Sequence, residues 1–307
     1  MRLLFAGTPQ VAVFSLDALV NSAHEVVGVL TRPPARAGRG RQQTHSPVHQ
    51  RALDLGLPVF TPSHVDDPAF VQTLRELQLD CAPVVAFGAL LPESVLDVPV
   101  HGWVNLHFSL LPRWRGAAPV QAAIMHGDAI TGATTFRIDA GLDTGPTFAA
   151  ITETLDGTET TGELLDRLGQ RGASLLVETM NDLANGSASA VPQDQLGITT
   201  APKLHSSDAQ LLWANPAFLL DRIIRACQPD PGAWTMFRGE RVKVQRARII
   251  DDVNVQPGSL VVSKHSLSVA TSNGALELLE VQPHGKKAMS AADWARGARI
   301  ESGERFE

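Results

Sequence analysis

Cysteine is scarce in this 307-residue chain: there are two, Cys81 and Cys227, far apart and in apolar or helical surroundings. That excludes a disulfide framework and points to two buried free thiols in a reducing compartment. No uninterrupted apolar run approaches the ~18 residues that a bilayer span needs. The opening run RLLFAG is too short for a secretory signal, so a cytoplasmic protein is expected, with no membrane partner. Phosphate-binding and dinucleotide fingerprints are missing as well. The first strand–turn–helix, AGTPQ, has one glycine, fits neither the P-loop nor GxGxxG, and carries Pro9 where a tight dinucleotide turn needs glycine. Neither NAD nor ATP is expected. The histidines are scattered and no His/Cys cluster has ligand spacing, so no metal is expected either. Internal repeats and low-complexity tracts are also absent.

Net charge is −6, which argues against indiscriminate nucleic-acid binding, but its distribution is uneven. Residues 1–200 carry 12 basic and 20 acidic side chains, whereas residues 201–307 carry 14 and 12. Lys203 is the first lysine of the chain. Such asymmetry is compatible with an RNA contact made by the second part and by a few local basic loops.

Strand-like and helix-like segments alternate through the first two-thirds. RLLFAG, HEVVGVL, PVF, APVVAFG, HGWVNLH, GATTFRID and TFAAITE read as strands. TPQVAVFSLDALVNS, SPVHQRALDLG, DPAFVQTLRELQ, APVQAAIMHG and GELLDRLGQRGASLLVETMNDLANG read as helices. This alternation predicts an α/β, Rossmann-like, mostly parallel sheet with helices on both faces, its last strands open to antiparallel pairing. NGSASAVPQDQLGITTAPK, small and Pro/Gly-punctuated, reads as a linker. Beyond it, LLWANPAFLLDRIIRACQ predicts a helix. The segments AWTMF, ERVKVQRARII, GSLVV, SLSVAT and ALELLEVQ predict a small OB-like β-barrel. The expected domains are 1–187 for catalysis, 188–207 as linker and 208–307 as an appended barrel.

Chemistry concentrates in NLHFSLLPRWRGAAP and GLDTG. In a strand over HGWVNLH, Trp103, Asn105 and His107 share a face. Pro112 ends that strand, since it cannot donate to a ladder. Asp143 comes from a second turn bracketed by Gly141 and Gly145. An amide, an imidazole and a carboxylate so placed suit a carbonyl-centred transfer. The amide holds a developing oxyanion, the imidazole moves a proton, and the carboxylate orients the imidazole and raises its proton affinity. An isolated Asn-x-His on a strand is more often a satisfied polar pair, so the flanking sequence has to decide.

That flanking sequence, SLLPRWRGAAP followed by GLDTG, resembles the folate-dependent formyltransferase family, and the resemblance runs from RLLFAGTP to GKKAMSAADW. It implies catalytic roles for Asn105, His107 and Asp143. It also implies a folate pocket from Phe87, Gly88 and Leu90, where the family often has tyrosine at the position of Phe87, completed by Ser109, Leu110, Leu111, Pro112 and Asp139. The donor implied is 10-formyltetrahydrofolate. The long second domain and the basic loop TRPPARAGRGRQQ resemble the branch of the family whose acceptor is the α-amine of methionyl initiator tRNA. Arg36, Arg39 and Arg41 of that loop are then expected at the tRNA acceptor stem, Arg39 foremost because Gly38 and Gly40 let its backbone approach closely. Lys203 is expected near the tRNA 3′ end, although Thr200 stands where a tyrosine is common just before it. Arg113 and Arg115 flank Trp114 and read either as a surface Arg–Trp stack or as electrostatic help for an anionic substrate. Glycinamide ribonucleotide and nucleotide sugars are rival acceptors. An RNA-binding module on an inactive fold is a rival of another class. A monomer is expected.

Overall fold

The computed structural model describes residues 1–37, 42–251 and 253–307, and the side chains of 35–37, 42 and 43 are left aside. The chain divides into two compact units. One comprises Met1–Pro119, Ile130–Glu153 and Leu165–Thr200; the other comprises Val120–Ala129, Thr154–Leu164 and Ala201–Glu307.

The first unit is built on a seven-stranded sheet. Its spatial order is Thr147–Thr154, Ile130–Arg137, Trp103–His107, Ala82–Val85, Arg2–Gly7, Glu25–Leu30 and Val59–Phe60. The last five of these pair in parallel. The sense reverses between Trp103–His107 and Ile130–Arg137. This is the mostly parallel, Rossmann-like sheet that the alternation predicts. Continuous burial along Leu3–Gly7 and Ala82–Val85 is what a parallel strand covered on both faces requires. Helices Pro47–Asp54 and Pro68–Glu76 each begin with proline in the first turn. The side chains of Ser46 and Asp67 accept the next free N–H groups as caps.

One glycine sets how closely a helix lies on the strand that carries the candidate site. A Cβ on Gly172, in the helix Thr161–Asn185, would stand 2.9 Å from Leu106 Cδ2. A larger residue there would displace the buried Leu106 side chain, between Asn105 and His107 in the strand.

The second unit carries an antiparallel sheet ordered Trp234–Phe237, Glu240–Ile250, Ala275–Pro283, Leu267–Ala270 and Leu260–Val262. Met289–Ser290 is added beside Ala275–Pro283. Two register shifts in Glu240–Ile250 bend the long strand and curl the sheet into a half-barrel, where an OB-like barrel is expected. Trp213 and Trp294 both stack on Phe306, with ring centroids 5.3 and 6.0 Å away. The helix expected over LLWANPAFLLDRIIRACQ is confined to Ala217–Ala226, because Pro216 disfavours helical backbone at Asn215. A final helix, Ala291–Ala298, had no counterpart among the sequence expectations.

Part of the segment expected as linker packs along the first unit. Val191 exchanges both main-chain hydrogen bonds with Thr147 at 2.8 Å, and Gln193 is buried. Small polar residues conceal such packing because they carry no hydrophobic period. Both cysteines are buried free thiols, each pushed up to about 12 by burial and so protonated. Among the described residues no helix is long and apolar enough to cross a membrane.

Candidate active site

The strand Trp103–His107 is internal to the sheet, with Asn105 opposite Val84 on one side and Phe136 on the other. Trp103 anchors it: the ring is fully buried and its Nε1 donates to the Val95 carbonyl at 2.8 Å. Period-2 geometry then puts Asn105 and His107 on the Trp103 face. Asn105 is half-buried, and among the described residues its amide has no hydrogen-bond partner. An internal-strand amide left open in this way is available to a ligand oxygen.

His107 is 5% exposed, and both ring nitrogens are faced by oxygen. Nε2 lies 2.9 Å from the Trp114 carbonyl. A carbonyl only accepts, so Nε2 carries the hydrogen of the neutral ring. Nδ1 lies 3.7 Å from Asp143 Oδ2, too long for a hydrogen bond but within ion-pair range once the ring is charged. Phe136 meets the imidazole edge-on, with centroids 6.3 Å apart. Burial pushes the imidazole below its ordinary proton affinity, and the opposing pull of Asp143 and of the Trp114 carbonyl does not restore it. This corrects the expectation that the carboxylate would leave the ring with raised proton affinity. An imidazole this dry has lost the water that would solvate its cation, so the resting ring is neutral.

Two turns deliver the partners of His107, and each holds a non-glycine residue in the left-handed region, Trp114 at φ 62° and Asp143 at φ 52°. Backbone of this kind costs roughly 1–3 kcal/mol per residue and persists only where its surroundings hold it. The holding contacts are visible. Trp114 N–H donates to Thr199 Oγ1 at 2.9 Å, Ser109 Oγ donates to the Arg113 carbonyl at 2.5 Å, and Thr134 Oγ1 donates to the Ser109 carbonyl at 2.7 Å. Gly116 N–H donates to Asp143 Oδ2 at 2.7 Å, which aims the carboxylate. A Cβ on Gly145 would stand 1.8 Å from the Arg137 carbonyl oxygen, so only glycine fits there.

Several other sequence-predicted residues fall in the same unit. Phe87 is buried and its carbonyl accepts from Thr8 Oγ1 at 2.8 Å; the Gly88 carbonyl accepts from Arg32 Nη1 at 2.5 Å. Gly88 has φ 79° with nothing near an added Cβ, and Leu90 is 85% exposed. Among the described residues no protein acceptor meets the N–H groups of Gly88, Ala89 and Leu90. Ser109 is buried, while Leu110, Leu111 and Pro112 are half-buried. Asp139 is exposed and closes its own turn, accepting from Gly141 N–H at 3.1 Å and Thr144 Oγ1 at 2.6 Å. Arg113 stacks on Trp114, 4.5 Å from the ring centroid, and the Trp114 ring is buried.

Four residues are expected at the tRNA: Arg36, Arg39, Arg41 and Lys203. Arg39 and Arg41 lie outside the described residues. Arg36 belongs to the short strand Ala35–Ala37, which pairs with Gln42–Thr44. Lys203 is exposed in the second unit. One residue that sequence reasoning missed is Gln193, in the expected linker. Its Nε2 donates to the carbonyls of Asp143 and Gly145, both at 2.8 Å, and its Oε1 accepts from Arg115 Nε and Nη2 at 3.0 and 2.6 Å. Among the described residues no group of His, Cys, Asp and Glu could hold a metal ion.

Comparison with known proteins bears on what this arrangement does. Residues 1–180 match the family model described as formyl transferase, and residues 203–299 match that of the formyl transferase C-terminal domain. The chain is 56% identical to a protein named methionyl-tRNA formyltransferase from Thermobifida fusca, over 100% of this chain and 99% of that one. It is likewise 56% identical to the methionyl-tRNA formyltransferase of Streptomyces coelicolor, over 99% of each. In fold it is similar to WlaRD, a sugar 3N-formyl transferase solved in the presence of dTDP and 5-N-formyl-THF. That match has TM-score 0.69 at 17% identity, covering 94% of this chain and 99% of that one.

Proposed function

The chain belongs to the formyl transferase family, and from that premise we propose how its residues carry a formyl group from 10-formyltetrahydrofolate to the α-amine of methionyl initiator tRNA. The product is N-formylmethionyl-tRNA, used to initiate translation. Identity of 56% over the full length of methionyl-tRNA formyltransferases supports this acceptor over a sugar or a small ribonucleotide.

The observation that carries the mechanism is the double engagement of the buried His107, Nε2 on the Trp114 carbonyl and Nδ1 facing Asp143. The uncharged amine attacks the formyl carbon, the carbonyl π bond opens, and negative charge collects on the formyl oxygen. Asn105 donates its free amide N–H to that oxygen. The attacking nitrogen, now cationic, loses a proton to Nδ1, the one vacant proton position of the neutral ring. The imidazolium so formed is paired by Asp143, which offsets the burial that disfavours it. Collapse of the tetrahedral adduct breaks the bond to N10, and His107 returns the proton to that nitrogen.

Phe87, Gly88, Leu90, Ser109, Leu110, Leu111, Pro112 and Asp139 bound the folate. The unmet N–H groups of Gly88 to Leu90 suit the donor-and-acceptor edge of a pterin, and the apolar side chains suit its faces. Arg36, Arg39, Arg41 and Lys203 contact the tRNA. Residues 1–187 form the catalytic domain, 188–207 the connection and 208–307 the appended tRNA-binding domain, in a monomer working in the cytoplasm.

The test is incubation with 10-formyltetrahydrofolate and a mixed pool of charged tRNAs. Formylation of methionyl initiator tRNA above all other species is the expected result. Formyl transfer to none of them overturns the reading.

A further inference from the structure

Gln193 uses every hydrogen-bonding position of its amide, and both its partners belong to turns that meet at His107. The two Nε2 hydrogens go to the Asp143 and Gly145 carbonyls, and Oε1 takes both Arg115 donors. Arg115 follows Trp114, whose carbonyl holds His107 Nε2, and precedes Gly116, whose N–H holds Asp143 Oδ2. Gln193 is 8% exposed, its bond to the Gly145 carbonyl is buried and the other three are partly buried, so losing the amide leaves poorly hydrated groups without a partner. Its own segment is held by the paired Thr147 and Val191 hydrogen bonds. All of these residues lie in the first unit.

We propose that Gln193 is a positioning residue of the formyl-transfer site. It clamps the left-handed Asp143 turn to the Trp114–Gly116 turn and thereby sets the 3.7 Å approach of the Asp143 carboxylate to His107 Nδ1. The clamp holds the backbone of Asp143, at φ 52°, from outside its own turn, beside the Asp139 bonds that close the turn from within. It acts through Asp143 and does not touch the formyl group. The assignment rests on the reading of His107 and Asp143 given above.

Two variants separate the two halves of the clamp. Gln193→Leu removes all four bonds at similar volume. Gln193→Glu keeps the acceptor for Arg115 but sets a carboxylate against the two carbonyls. The first readout is the His107 imidazole titration followed by NMR on the substrate-free protein, which does not depend on the identity of the acceptor. Release of the Asp143 turn withdraws the carboxylate that opposes burial, so both variants should titrate at lower pH than the wild type. The second readout is kcat on methionyl-tRNA, with an expected loss of roughly 10- to 100-fold, the range for a misplacement of about 1 Å. In an Asp143→Asn background the same changes should cost less than about twofold, since the residue they position is already disabled. Gln193→Glu keeps a polar, bonded side chain, so it serves if Gln193→Leu does not fold. An unchanged His107 titration in either folded variant overturns the proposal, as do equal losses in both backgrounds. Failure of the wild type to formylate methionyl-tRNA while the titration still shifts would remove the function and leave the clamp standing.

Discussion

His107 gives its Nε2 hydrogen to the carbonyl of Trp114 at 2.9 Å, and that single bond decides which nitrogen can trade a proton. The open position is Nδ1, on the Asp143 side. A buried imidazole with one tautomer fixed and a carboxylate near its vacant nitrogen is neutral at rest and ready to become a cation during turnover. In the proposed mechanism the carboxylate's task is to stabilise a transient charge.

Removal of the oxyanion donor provides the most direct check on this division of labour. Asn105→Ala should lower kcat by ~10²–10³, the range for loss of one such donor, with little change in folding because among the described residues the amide has no hydrogen-bond partner. His107→Ala should lose at least as much. If, as proposed, the two groups serve one tetrahedral intermediate, the double variant should lose much less than the product of the single losses. Steady-state kinetics of the four proteins at one tRNA concentration series settles it, and near-normal turnover in folded Asn105→Ala contradicts the mechanism.

pH dependence follows from the neutral resting ring. His107, the proposed proton acceptor, has a folded-state affinity below the ordinary value of 6.5. The pH profile of kcat/KM should therefore rise with pH through a midpoint below 6.5. Asp143→Asn removes the charge that opposes burial at Nδ1, so the midpoint should move lower still while the plateau rate drops. Asparagine can still accept the Gly116 N–H, which keeps the turn intact in that comparison. A wild-type midpoint above 6.5 would reverse the assigned order of burial over charge, and a midpoint that moves upward in Asp143→Asn would contradict the role given to the carboxylate.

Much of this site was legible from residue order alone, for reasons that also mark where legibility ends. A period-2 strand puts Asn105 and His107 on one face whatever else the chain does, and glycines bracketing Asp143 announce a turn. The alternation of apolar strands and helices likewise makes a parallel sheet nearly obligatory. The state of His107 was not legible, because the sign of its shift depends on how completely Phe136 and the Trp114 turn exclude water. Gln193 was hidden more thoroughly. It sits in a small, polar stretch with no period, 50 residues from the turn it holds, and only tertiary contact distinguishes it from a linker glutamine.

Acid sensitivity of the fold is expected from three buried imidazoles. His24, His49 and His107 all have proton affinities lowered first by burial; His49 is lowered further by His45, whose ring lies 3.9 Å away. With folded values below the unfolded 6.5, the unfolded chain takes up protons first as pH falls. Their contribution is fully present above 6.5 and is lost as pH falls from there through the folded-state values. The urea midpoint should thus drop between pH 7.5 and about pH 5, above the range where carboxylates titrate. His49→Gln should flatten that dependence, and a midpoint independent of pH over this window in the wild type contradicts the argument.

The acceptor assignment makes the last prediction. Arg39 lies between two glycines, in a segment bracketed by the paired strands Ala35–Ala37 and Gln42–Thr44. Arg39→Ala should weaken catalysis on methionyl-tRNA while leaving any slow hydrolysis of the formyl-folate unchanged, since the chemistry resides elsewhere. A guanidinium that only meets phosphate loses affinity alike on every tRNA when removed, whereas one that reads base edges also loses selectivity. The second pattern is expected for Arg39, whose flanking glycines permit close approach, and the first for Arg36 and Arg41. Initiator and elongator methionyl-tRNA must be compared at one salt concentration, because phosphate contacts weaken steeply with salt. Unaltered kinetics on the initiator after Arg39→Ala would remove the basic loop from acceptor recognition and leave that task to the second unit.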